Sequence, residues 1–132
     1  MNKKDNGIID GTHPDFIKHV NDLQFYGPGQ RVHINPDHLK KPLKYTHHIT
    51  GIKRNVIGLK LIYKDCDNIY VYLDADEIKA GLKIYGKNAT FTAGSPATPV
   101  LIESERGRGL IFPLTVWHHL KKAWADKIKE EQ

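Results

Sequence analysis

Two apolar runs near the middle of the chain, Leu59-Lys60-Leu61-Ile62-Tyr63 and Ile69-Tyr70-Val71-Tyr72-Leu73, are rich in β-branched and aromatic residues. They flank the polar stretch Lys64-Asp65-Cys66-Asp67-Asn68, a pattern that predicts a hairpin. Upstream, Gln30 to Ile34 alternates polar and apolar and predicts a short strand after the Tyr26-Gly27-Pro28-Gly29 turn. Asn35-Pro36-Asp37 has the chemistry of a helix start: an Asn N-cap, Pro at the first helical position and Asp in the first turn. This helix is expected to reach about Tyr45 on the Leu39/Leu43 stripe, kinked or cut short by Pro42, which removes a backbone donor. Before it, Met1 to Gly11 is polar apart from Ile8-Ile9 and predicts a tail or linker. Phe16, Ile17 and Val20 predict one helical turn or a docked strand.

The pattern then starts again. Asp74 is an N-cap with Glu77 at capping-box spacing, and Ile78, Leu82 and Tyr85 share a helical face that Gly86 ends. A strand is expected around Phe91. A second hairpin comes next, from Val100-Leu101-Ile102-Glu103 and Leu110-Ile111-Phe112-Pro113-Leu114 about a turn at Arg106-Gly107-Arg108-Gly109. Asp37 to Lys44 aligns with Asp76 to Lys83 at an offset of 39, with four of eight residues identical and Leu39 matched by Ile78. The expectation is an α+β fold of two strand–helix–hairpin repeats, with the helices on one face of antiparallel sheet. Residues 1–29 form a linker and docking segment, 30–114 the two repeats (30–73 and 74–114). Residues 115–132 form a C-terminal amphipathic helix, with Trp117, Leu120, Trp124 and Ile128 on one face.

Composition narrows the classes. The chain has 132 residues, 39% of them apolar and 27% charged, which is enough for one packed domain and unlike a disordered segment. A single cysteine excludes an intrachain disulfide and is compatible with a reducing compartment, so a cytoplasmic location is expected. No apolar run approaches membrane-spanning length, and no membrane partner is expected. The net charge of +5 leans towards a polyanionic partner.

That lean gains content from the aligned helices. Lys40 and Lys44 lie beside the Leu39/Leu43 stripe, and Lys79 and Lys83 lie beside Ile78/Leu82 in the same sense. Such ammonium groups suit a phosphate backbone, which they contact as point charges without reading bases. A merely solvated lysine face is the alternative. Catalytic chemistry is not expected. The pairs His47-His48 and His118-His119 diverge on a helix, and Cys66 sits between two aspartates that disfavour a thiolate. Ser95 and Ser104 lack a nucleophile-elbow setting. No cofactor or metal is called for.

Several short motifs together resemble one family. Ile9-Asp10-Gly11-Thr12-His13-Pro14-Asp15-Phe16 resembles the linker before the last domain of bacterial DNA sliding clamps, the β subunit of DNA polymerase III, with His13 where that family usually has Phe. Ile34 to Leu39 and Leu73 to Ile78 resemble the starts of that domain's two DNA-facing helices. Pro99 to Glu103 with Gly109 to Leu114 resembles its closing hairpin. The resemblance implies a processivity domain that contacts duplex DNA non-specifically through Lys40, Lys41, Lys44, Lys79 and Lys83. It also implies docking of a short polymerase or clamp-loader peptide on Leu110, Phe112, Pro113 and Leu114. A ring needs six such domains, so a homo-oligomer is one expectation. The alternatives are a protein-interaction module without DNA binding and a non-clamp nucleic-acid-binding domain.

Overall fold

The computed structural model describes residues 7–25, 29–46, 51, 53–63 and 66–114. The expected C-terminal helix over 115–132 and both adjacent histidine pairs lie outside the described residues. The elements run β1 (Ile8–Asp10), α1 (Phe16–Phe25), β2 (Gln30–Val32), α2 (Pro36–Lys40), β3 (Leu43–Thr46), β4 (Lys53–Tyr63) and β5 (Cys66–Asp74). They continue with α3 (Ala75–Tyr85), β6 (Thr90–Ala93), β7 (Val100–Ser104) and β8 (Gly107–Ile111). The class is α+β. All strand pairing is antiparallel, in a five-stranded sheet ordered β1-β8-β7-β6-β2 and a three-stranded sheet ordered β3-β4-β5.

The five-stranded sheet also carries a helix from the expected docking segment, and β8 shows where it lies. Gly109, Leu110 and Ile111 are all buried, although neighbouring strand residues point to opposite faces. Leu110 packs with Phe16 and Val20 of α1, whereas Ile111 joins Ile78 and Tyr85 of α3 in the main core. The five-stranded sheet is therefore covered on both faces, by α1 on one and α3 on the other. Arg108, expected in a turn, belongs to β8, and its guanidinium stacks 5.0 Å from the Phe16 ring centroid. The turn itself is Glu105-Arg106, where the Ser104 hydroxyl accepts the Arg106 N–H at 3.1 Å.

The expected N-terminal linker contributes a strand. Ile8, Ile9 and Asp10 pair with Ile111, Leu110 and Gly109, and Ile8 is buried, so burial of an apolar residue overrides the polar composition around it. The Tyr85 hydroxyl donates to Asp10 Oδ1 at 2.6 Å and ties this edge to α3. At Gly81, α3 lies so close to the sheet that a Cβ would sit 2.9 Å from the end of the Ile102 side chain, which would have to shift to admit it.

The two sheets meet at a side-chain clasp. Gln30 Oε1 accepts the Ile62 N–H at 2.7 Å and Gln30 Nε2 donates to the Ile62 carbonyl at 3.2 Å, so one amide satisfies both main-chain groups on β4. After β8, the Leu114 N–H donates to the Tyr72 carbonyl at 2.7 Å, carrying the chain across to β5. No helix among the described residues is long and apolar enough to cross a membrane.

Candidate functional site

Lys40, Lys79 and Lys83 come from two helices with the same entry chemistry and different lengths. Asn35 Oδ1 accepts the Asp37 N–H at 2.9 Å, and Asp74 Oδ1 accepts the Asp76 N–H at 2.8 Å, so each side chain caps its helix. Of the two expectations for the first helix, kinked on its way to Tyr45 or cut short by Pro42, the structure has the short one. It ends at Lys40, Lys41 caps it by donating to the Asp37 carbonyl, and Leu43 to Thr46 form β3. Pro42 cannot supply the next helical donor, and Leu43 and Tyr45 then point inward at strand spacing. The aligned octets thus differ in structure: Leu82 and Lys83 are helical, whereas Leu43 and Lys44 are in a strand.

Lys40, Lys41, Lys44, Lys79 and Lys83 are all exposed. Lys79 and Lys83 are one turn apart on α3, and Lys83 stands in its last turn, where the helix dipole favours a cation. Lys44 opposes Asn55 in the β3–β4 register, and Asn55 Nδ2 donates to Asp76 Oδ2 at 3.5 Å. That contact brings the β3 flank to the first turn of α3, three residues before Lys79. An acidic group therefore stands beside this end of the lysine row.

Between α2 and the last turn of α3 lies a groove of about 560 Å³. Val32 and Ile34 enter it from the end of β2 onward, Leu39 from α2, Leu82 from α3 and Phe91 from β6. Arg31, His33 and Lys87, all exposed, form its polar margin with Asn88 and Thr90. Leu39 and Leu82 thus line one groove, and the next residue on each helix is an exposed lysine. The sequence pattern did not reveal this groove, because its walls come from five separate segments. The Gly86 helix stop, with φ at +104°, was the one local signal for the loop that closes it.

The N-terminal end of α3 is acidic and partly buried. Asp74 is buried and accepts from Arg54 Nη1 at 3.1 Å. Glu77 is pushed up to about 7, first by its own burial and then by the Asp74 carboxylate, with Arg54 pulling the other way. Across the molecule, the Tyr85 hydrogen bond holds Asp10 below the usual carboxylate range.

The expected peptide-docking residues divide. Leu110 is fully buried under α1 and offers no surface, which removes it from that set. Phe112, Pro113 and Leu114 are half-buried; the Phe112 ring stands edge-on to His19 with centroids 4.9 Å apart. Among the described residues no group of three or more His, Cys, Asp or Glu side chains is gathered as a metal would need. The chain matches no protein-family model, no curated protein and no solved structure.

Proposed function

We propose that this chain is a sliding-clamp-like processivity module that contacts duplex DNA without sequence preference and performs no chemistry of its own. One observation carries the reading: all five lysines are exposed, and the helices bearing Lys40, Lys79 and Lys83 close on one groove through Leu39 and Leu82. Ammonium groups on flexible stems attract phosphates wherever the backbone runs and release counterions on contact. Lys40 and Lys79 each follow a carboxylate by one turn, Asp37 and Asp76, and contribute less than Lys83. Phe112, Pro113 and Leu114 dock a short apolar peptide of a polymerase or clamp loader, and encirclement of DNA requires several copies of the chain. A cytoplasmic location belongs to the same reading.

Salt titration on duplex DNA with blocked ends tests it. Affinity is expected to fall steeply with salt, and Lys79→Ala with Lys83→Ala to reduce the slope of log K against log salt by about 2. Equal binding by wild type and double variant, or binding that ignores salt, overturns the reading. Phe112→Ala should weaken peptide capture and leave DNA affinity unchanged.

A further inference from the structure

The groove between α2 and the end of α3 has a composition that neither DNA contact nor the Phe112 surface uses. Its floor is apolar, from Val32, Leu39, Leu82 and Phe91, and its volume lies in the range of sites that take a few side chains. Arg31 and Lys87 stand exposed at its margin, Lys40 and Lys83 come directly after its two leucines, and no acidic residue is among the described residues lining it. A phosphate backbone has no apolar groups to fill such a floor. An uncharged apolar ligand leaves the cationic margin unanswered.

We infer that this groove binds an acidic peptide segment of a partner protein, with two or three apolar side chains on the floor and Asp or Glu residues against Arg31 and Lys87. The anchors supply burial, and the flanking carboxylates steer association and fix orientation. The inference does not depend on DNA binding, since the peptide is measured without DNA.

The probe is a fluorescein-labelled peptide with Leu and Phe anchors between Asp and Glu flanks, monitored by anisotropy. One control keeps the anchors with Lys flanks; the other keeps the acidic flanks with Ser at the anchors. The acidic, anchored peptide should bind about tenfold more tightly than either control, a gap set by charge and burial together. Arg31→Glu with Lys87→Glu changes two exposed residues and should invert the preference towards Lys flanks. Leu39→Ala should weaken binding of either peptide. The proposal is overturned if the Lys-flanked peptide binds wild type equally well, if the double charge reversal leaves the preference unchanged, or if no peptide binds. Self-association that the charge reversal abolishes, with no peptide bound, would assign the groove to a second copy and also overturn it.

Discussion

Helices α2 and α3 begin alike and end differently. Both open on an Asx N-cap, both carry acid in the first turn, and Leu39 of one aligns with Ile78 of the other. Yet α2 stops after five residues with none buried, while α3 runs for eleven and buries Ala75, Ile78, Gly81 and Tyr85. The divergence traces to one aligned pair. Where α2 would continue, Pro42 withholds the backbone donor; where α3 continues, Gly81 lets the helix press onto Ile102, Ile8 and Ile111. A cap decides where a helix begins. The residues beyond its first turn decide whether it becomes part of the core.

If that distinction is right, truncating the aligned apolar residues gives unequal costs. Ile78→Ala opens a cavity in a fully buried site and should cost about 2–5 kcal/mol, whereas Leu39→Ala, half-buried in α2, should cost about 1 kcal/mol. Urea denaturation of the pair measures this, and equal costs would mean α2 is as much a core element as α3. The caps sharpen the comparison at lower energy. Asn35→Ala should cost about 1 kcal/mol, and Asp74→Ala about 2 kcal/mol, because the buried aspartate also receives Arg54. A larger loss at Asn35 would reverse the ranking of the two helix starts.

A further difference separates the helices by pH. Glu77, on α3, ionises near 7 when folded and near 4.5 when unfolded, so the folded state binds the extra proton between those values. The stability Glu77 contributes is complete below pH 4.5 and is lost as pH rises through 7. Glu77→Gln should therefore raise the melting temperature at pH 8 and leave it nearly unchanged at pH 4.5. Its aligned counterpart on α2 is His38, so no carboxylate there produces the same profile. A Glu77→Gln gain of equal size at both pH values would place the effect in packing, not in ionisation.

The same pairing shows how far the sequence could be read. Asn35, Asp74 and Gly86 announce themselves within four residues of chain, and the structure uses all three as helix boundaries. The two apolar runs within Leu59 to Leu73 announce β4 and β5, although both strands extend beyond them. Features that the pattern concealed depend on distant partners. Leu39 and Leu43 are four apart, which reads as a helical stripe, but Tyr45 turns inward only because β4 lies alongside. Ile8-Ile9 looks like a tail until β8 supplies its ladder, and Arg108 looks like a turn residue until Phe16 stacks on it. At the candidate site the lysines were visible as exposed charge. Arg31 and Lys87 were not visible as neighbours, because residues 31, 39, 82, 87 and 91 converge only through tertiary packing.

The Gln30 clasp limits which side chains can make both of its bonds. A primary amide is the one uncharged side-chain group that offers a donor and an acceptor side by side, as a peptide bond does. Glutamate has the same length but would set a carboxylate oxygen against the Ile62 carbonyl, and methionine would leave both main-chain groups to solvent. Asparagine falls one methylene short. Glutamine at position 30 is thereby the side chain that stitches the seam with both bonds at once.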